Sequence, residues 1–221
     1  MNITLFAYII SAIVSAIFTI RIYIVKKKYP NDIAKHFYVF FLFGFLYFFI
    51  RSLAILFFFD NKTILSLSYP ISHIFLYLSF AYMLDTAIDL SSFKRYSKKI
   101  LWIFIFFGFF VIYLNVILPN NPSLDLHYSI ISWGTNKIVS IFHIIYAFSA
   151  ILALTYIFIL QAFKSKPFNK KFFIIGLGFV FLTLNAFKNA FHQGIILYFF
   201  EFTMIIGISI IVIGLAIKEK K

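Results

Sequence analysis

The chain has 221 residues, of which 63% are hydrophobic, 23% aromatic and only 12% charged. A soluble globular domain carries about 25% charged residues, so this composition excludes an ordinary soluble fold and indicates a protein that faces lipid. The absence of cysteine excludes disulfides and cysteine-ligated iron–sulfur clusters. The net charge of +13 leaves two kinds of partner to consider, nucleic acid and an anionic membrane surface.

Seven apolar stretches approach or exceed the roughly 20 residues that a helix needs to cross hydrocarbon. Only helices suit stretches of this length, because every backbone amide must be satisfied within lipid and barrel strands would be shorter and alternating. In chain order the predicted spans are Asn2–Val25, His36–Phe59, Ser66–Ile88, Lys99–Leu118, Lys137–Phe163, Lys171–Phe191 and Gly194–Ile217. The sequence therefore predicts an all-α, polytopic membrane protein with about seven transmembrane helices in a single domain, residues 1–221.

The basic residues divide unequally between the two sides of these spans. One side holds 15 of the 20 lysines and arginines: Lys26, Lys27, Lys28, Lys35, Lys94, Arg95, Lys98, Lys99, Lys164, Lys166, Lys170, Lys171, Lys218, Lys220 and Lys221. The loops of the other side hold only Lys62 and Lys137. Because basic loops stay in the cytoplasm, we expect a multi-pass cell-membrane protein with its amino terminus outside and its carboxyl terminus in the cytoplasm. Short loop clusters of this kind favour the lipid bilayer over nucleic acid as the partner.

The first span resembles a signal peptide only superficially. It has no basic residue before Arg21, and its apolar run is longer than a typical signal sequence. We therefore expect it to be retained as a membrane helix.

The longest connection between spans is Pro119–Asn136, on the predicted outer side. It contains several turn-forming residues and the apolar stretch Ile130–Trp133. We expect a plain connector in which Trp133 is anchored among the lipid headgroups. A functional loop is the alternative, since long loops in compact domains often carry function.

Ionisable residues inside membrane spans are energetically expensive and commonly mark functional sites. At a rise of about 1.5 Å per residue, a set of polar side chains falls in one layer of the outer half of the bundle. These residues are Arg51, His73, His143, Asn185, Lys188 and Glu201. Glu201 is the only acid in this layer, so either Arg51 or Lys188 is its expected partner. The layer predicts either a net-positive pocket for a small polar or anionic ligand, or a polar network that fixes the helix register.

Asp85 lies apart from this layer, near the predicted cytoplasmic end of the third span. It precedes the basic pair Lys94 and Arg95. Structural pairing with a basic loop is the first expectation, and a proton or ion site is the alternative.

His73 and His143 share a depth in different spans, which is compatible with a haem held between them. Two histidines do not complete a zinc site, and no helical HxxxH pair occurs. GxSxG, HExxH, Walker and GxGxxG patterns are also absent from the sequence. The sequence therefore favours a non-enzymatic protein, with no catalytic residues, no metal site and no cofactor.

Two local features carry a family resemblance. The aromatic run Phe75–Tyr82 in the third span leads into a basic loop, and Asn115 stands at the outer end of the fourth span. In these features, and in length and layout over nearly the whole chain, the sequence resembles the seven-span amino-terminal region of some membrane-bound sensor histidine kinases. The resemblance implies a signal-input module. No phospho-acceptor helix or kinase domain is present in the sequence, so signalling output would require a partner protein, and the resemblance transfers no binding residue.

The leading hypothesis is a non-enzymatic, seven-helix sensory or ligand-binding module whose site is the polar layer. One alternative is a small transporter or proton-coupled carrier that uses the same layer together with Asp85. A structural or accessory membrane subunit and a haem protein are the others.

Overall fold

The structure is a computed structural model that describes residues 2–28, 32–89, 91, 93–125, 130–186, 188 and 195–217. Seven α-helices lie within these ranges: α1 (Ile3–Lys28), α2 (Asp32–Phe58), α3 (Lys62–Asp89), α4 (Ser97–Ile117), α5 (Lys137–Lys164), α6 (Lys170–Ala186) and α7 (Ile195–Ala216). A short 3₁₀ helix, Lys94–Tyr96, precedes α4. Between α4 and α5 the strands β1 (Ser123–Asp125) and β2 (Ile130–Ser132) form an antiparallel hairpin. The helical fold class is confirmed, and the hairpin is the feature that the sequence analysis did not predict.

Six of the described helices, α1 to α5 and α7, are long and apolar enough to cross a membrane. The described part of α6 has 17 residues. The predicted end of the sixth span at Phe191, the predicted start of the seventh at Gly194 and the lysines of residues 218–221 lie outside the described residues. The architecture is that of a helical membrane protein.

Six helices form a closed ring, and α4 lies outside it. Along the ring α1 packs on α2, α2 on α3, α3 on α5, α5 on α6 and α6 on α7, and α7 returns to α1. Helix α4 contacts α3 and α5 from the outside and is the least buried of the six apolar helices. The interior of the bundle is therefore built by α1, α2, α3, α5, α6 and α7.

Glycines set the distance between α6 and α7. A Cβ atom added to Gly207 would lie 2.9 Å from the carbonyl oxygen of Gly178. Small residues at such contacts let membrane helices approach until their backbones touch, which maximises van der Waals packing. The last two helices are consequently held in close register.

Phenylalanine side chains fill the middle of the ring. Phe158 stacks on Phe179 with ring centroids 5.7 Å apart, and Phe40 contacts Phe179 at 5.9 Å. Phe40 also meets Phe41 edge to face at 5.1 Å. Such pairs add roughly 0.5–1.5 kcal/mol each beyond area burial, so this aromatic layer joins α2, α5 and α6 into one core.

The hairpin is folded into one end of the ring, which we call the hairpin end. The backbone N–H of Ile131 donates to Oγ1 of Thr4 in α1 at 3.1 Å, and Ile130 and Ile131 are fully buried. Gly134 adopts a positive φ of 56°, a conformation that glycine reaches without strain, and its carbonyl accepts from the N–H of Asn121 at 3.1 Å. The prediction of a plain connector is wrong, because the hairpin is an integral part of the bundle.

Candidate functional site

A cavity of about 80 Å³ lies inside the ring, reaching from Trp133 at the hairpin end to Ile208 in α7. Every ring helix contributes side chains to its lining. Five of the six residues predicted as a polar layer line it: Arg51, His73, His143, Asn185 and Lys188. The sixth, Glu201, is bonded to Lys188. The structure therefore brings the whole predicted layer together around one space.

Arg51 is enclosed by aromatic rings and is only 1% exposed. Its Cζ lies 3.6 Å from the ring centroid of Trp133 and 4.2 Å from that of Tyr69. Tyr8 and Tyr47 complete this aromatic cage at 5.8 and 5.7 Å. The rings stabilise the cation through their electron-rich faces. Nevertheless, Nε and Nη1 of Arg51 have no hydrogen-bond partner in the described part of the chain.

Trp133 takes part in this cage instead of lying among lipid headgroups. Its side chain is buried, and it follows directly after β2, whose residues are buried as well. The expectation of a headgroup anchor is therefore wrong. The hairpin carries Trp133 inward because β2 is hydrogen-bonded to Thr4 at the start of α1.

Lys188 and Glu201 form a buried ion pair. Nζ of Lys188 donates to Oε1 of Glu201, and both side chains are at most 10% exposed. Oε2 of Glu201 has no hydrogen-bond partner among the residues that the structure describes. Of the two partners that the sequence allowed for Glu201, the structure selects Lys188. The charge of Lys188 is thereby balanced, whereas no carboxylate of the described chain forms an ion pair with Arg51.

The two histidines of the cavity meet edge to face, with ring centroids 4.9 Å apart. Nδ1 of His73 lies 2.8 Å from the carbonyl oxygen of Tyr69, one helical turn earlier in α3. Nδ1 of His143 lies 2.7 Å from the hydroxyl of Tyr77. The hydroxyl of Tyr146 donates in turn to the carbonyl oxygen of Tyr77 at 2.8 Å. These bonds tie α3 to α5 and hold both imidazoles in fixed orientations.

The two asparagines near the layer have structural partners. Nδ2 of Asn185 donates to the carbonyl oxygen of Phe200 at 2.6 Å, which links α6 to α7. Nδ2 of Asn115 donates to Oδ1 of Asn120, and the carbonyl of Asn120 accepts from the hydroxyl of Ser66. Asn115 therefore holds the segment that leads into the hairpin, away from the cavity lining.

Asp85 lies at the opposite end of the bundle and is completely buried. Its Oδ2 accepts from Nζ of Lys98 at 2.7 Å and lies 3.7 Å from Nε2 of His36. Its Oδ1 has no hydrogen-bond partner within the described residues. Asp85 is therefore paired with a basic residue near the loop, as expected. A proton or ion site at its unpartnered oxygen stays a prediction.

The cavity geometry does not suit a haem. The imidazoles of His73 and His143 meet edge to face with ring centroids 4.9 Å apart, which leaves no room for an iron between them. The cavity of about 80 Å³ is also far smaller than a pocket for a large cofactor, which occupies several hundred Å³. Among the described residues no group of three or more histidines, cysteines or carboxylates is arranged to hold a metal ion.

The aromatic cage around Arg51 was not predicted from the sequence. Tyr47 and Arg51 are four residues apart on α2, and Tyr69, His73 and Tyr77 follow at the same interval on α3. That spacing places each set on one helix face, so the contribution of α2 and α3 could have been inferred. The contribution of Trp133 could not, because it depends on how the hairpin folds.

Comparisons with protein-family models, with curated proteins and with solved structures found no match to this chain.

Proposed function

We propose that all seven helices cross the membrane, with the hairpin end outside and the opposite end in the cytoplasm. The distribution of basic residues supports this orientation, since the loops at the hairpin end carry only Lys62 and Lys137. The predicted sixth span, Lys171–Phe191, is long enough to cross. In this orientation the cavity lies in the outer half of the bundle, and its ligand arrives from outside.

We further propose that the protein is a non-enzymatic sensory or ligand-binding module whose cavity takes a small anion. The observation that carries this proposal is Arg51, a buried guanidinium with no ion-pair partner in the described chain. Lys188 already has Glu201, so among the described residues Arg51 is left as one uncompensated positive charge of the cavity.

The energetics favour an anion at this position. Removing a cation from water costs several kcal/mol, and cation–π contacts return about 2 kcal/mol or somewhat more. Within the described ranges two guanidinium nitrogens have no acceptor, and each such buried donor costs roughly 1–3 kcal/mol. A bound anion would supply both the missing charge and the missing acceptors.

The size of the cavity restricts the anion. A volume of about 80 Å³ accommodates several waters or a small molecule, since one buried water needs roughly 10–15 Å³. Drug-sized ligands occupy several hundred Å³ and would not fit without rearrangement. The ligand class is therefore an anion of a few non-hydrogen atoms.

A sensory role follows from where the ligand would act. Arg51 contacts aromatic rings of α1, α2, α3 and the segment after β2, so an anion that shifts Arg51 would change contacts among these elements. The resemblance to the input region of sensor histidine kinases supports the same role, with the output passing to a partner protein at the cytoplasmic end.

The test is native mass spectrometry of the full chain released from a mild detergent. We expect a discrete mass excess on the wild-type protein that is lost in Arg51→Gln. The matched control is Arg21→Gln, the same substitution at an exposed arginine outside the cavity. A bare protein, or an excess that Arg51→Gln and Glu201→Gln leave unchanged, would contradict the proposal and favour a structural network.

A proton-coupled carrier is the second proposal, and Asp85 is the observation that favours it. A buried carboxylate with one oxygen unpartnered in the described chain is a position where a proton can bind. This function predicts anion uptake into proteoliposomes that Asp85→Asn reduces. Unchanged uptake by the Asp85→Asn variant, or no uptake by the wild type, would contradict the proposal of a carrier.

A further inference from the structure

His73 has one ring nitrogen committed to the backbone. Nδ1 lies 2.8 Å from the carbonyl oxygen of Tyr69, and because a carbonyl only accepts hydrogen bonds, Nδ1 must carry the proton. In the neutral ring Nε2 then holds a lone pair and acts as an acceptor. No residue of the described chain is bonded to Nε2. His73 therefore brings an unused acceptor to the lining of the cavity.

Arg51 and His73 are close neighbours, because the same two tyrosine rings contact both. Tyr69 stacks on His73 with centroids 4.0 Å apart and lies 4.2 Å from Cζ of Arg51. Tyr47 meets His73 edge to face at 5.4 Å and lies 5.7 Å from the guanidinium carbon. A small ligand in this cavity is thus within reach of guanidinium donors and an imidazole acceptor together.

Three further polar side chains of the lining already have acceptors, whereas Nε1 of Trp133 has no hydrogen-bond partner in the described part of the chain. The amide of Asn185 donates to Phe200, the hydroxyl of Ser79 donates to the carbonyl of Phe40, and Lys188 donates to Glu201.

Nδ1 of His143 and the hydroxyl of Tyr77 share one hydrogen bond, in which either group can be the donor, depending on the tautomer of His143. Both assignments leave the acceptor of His73 in place.

Resting on the proposed anion site, we propose that the ligand is a short hydroxy carboxylate. Its carboxylate accepts from the free nitrogens of Arg51, and its hydroxyl donates to Nε2 of His73. The free nitrogens of Arg51 and the free acceptor of His73 are then matched by one molecule of a few non-hydrogen atoms.

The charge of the cavity excludes the other common donor, an ammonium group. An amino acid would place its ammonium beside Arg51 and Lys188, and Glu201 cannot offset this third positive charge because its single negative charge already balances Lys188. Like charges at such distances repel strongly where water is excluded. A hydroxyl provides the donor without the charge.

The test compares two isosteric probes, glycolate and propionate, in which a hydroxyl replaces a methyl group. Isothermal titration of the full chain in detergent measures the affinity for each. We expect the wild type to bind glycolate about tenfold or more tightly than propionate, because the hydroxyl finds a partner that the methyl group cannot use.

His73→Phe removes the acceptor and keeps a planar ring of similar size. We expect it to abolish the preference for glycolate while propionate binding stays within about twofold. His73→Gln retains an acceptor oxygen and should restore part of the preference, which guards against a folding defect in the first variant. His36→Phe is the matched control, since His36 lies beside Asp85 at the opposite end.

The possible failures are distinct. Equal binding of glycolate and propionate by the wild type, or a glycolate preference that persists in His73→Phe, would overturn the hydroxy carboxylate while leaving the anion site intact. Binding of neither probe, together with no mass excess on the native protein, would overturn the anion site and this inference with it.

Discussion

The guanidinium carbon of Arg51 lies over the indole ring of Trp133, with Cζ 3.6 Å from the ring centroid. The contact joins the end of α2 to the segment that follows β2, two parts of the chain far apart in sequence. It also closes the hairpin end of the cavity, since both residues belong to the lining. The hairpin is therefore held by a buried cation as well as by its own hydrogen bonds.

Trp133→Leu should destabilise the protein through loss of this contact. We expect a loss of about 1–2 kcal/mol beyond the change in buried area, the magnitude of a desolvated cation–π interaction. The measurement is the unfolding free energy in bicelles. The control is Trp102→Leu in α4, where the indole is 56% exposed and faces outward. Equal losses in the two variants would argue against a special role for the Arg51 contact.

Removing one member of the Lys188–Glu201 pair should cost more than removing both. Either Glu201→Gln or Lys188→Met leaves a buried charge alone, which typically destabilises by roughly 3–5 kcal/mol. The double variant has no such charge and should be more stable than either single variant. A double-mutant cycle on unfolding free energies measures this coupling. Strictly additive losses would show that the two charges do not depend on each other.

The proposed orientation can be tested by cysteine labelling, because the chain contains no cysteine of its own. Asn121→Cys lies exposed at the hairpin end, and Lys166→Cys lies exposed between α5 and α6. A membrane-impermeant maleimide added to intact cells should label the first and reach the second only after permeabilisation. Ser132→Cys, which is buried in β2, should react slowly in both conditions. Labelling of Lys166→Cys in intact cells would reverse the orientation.

Gly178→Ala should separate α6 from α7. The new Cβ would lie 2.5 Å from Cγ1 of Ile211 and 2.8 Å from the backbone oxygen of Gly207, and the backbone atom cannot move alone. Overpacking of this kind typically destabilises by roughly 1–3 kcal/mol. The matched change Gly44→Ala meets nothing nearer than Ser15 Oγ at 3.8 Å and should be tolerated in a thermal unfolding assay. Similar melting temperatures for the two variants would contradict the close contact.

Hydropathy was sufficient to predict the helical membrane architecture, because the cost of exposing apolar residues or unpaired amides acts on each stretch separately. The common depth of Arg51, His73 and Glu201 could be predicted from the same reasoning. Depth alone does not say which way a side chain points around its helix. For that reason the sequence alone left Lys188 and Arg51 as equal candidates for the partner of Glu201. The structure shows that the partner is Lys188.

The hairpin lay beyond prediction for a different reason. Its position depends on a hydrogen bond between Ile131 and Thr4 and on the cage around Arg51, all contacts between distant segments. A short apolar sequence such as Ile130–Trp133 suits a membrane interface equally well when considered alone. Only the assembled bundle provides the polar and aromatic partners that draw it inward.

The contact between α1 and α7 has a consequence for biogenesis. Neighbours such as α1 and α2 can associate as soon as both have entered the membrane, whereas the ring closes only when the last helix docks against the first. Glu201, which pairs with Lys188, is supplied by α7. Docking of α7 against α1 is therefore the contact that completes the ring, and a bundle without α7 would leave Lys188 without its carboxylate partner.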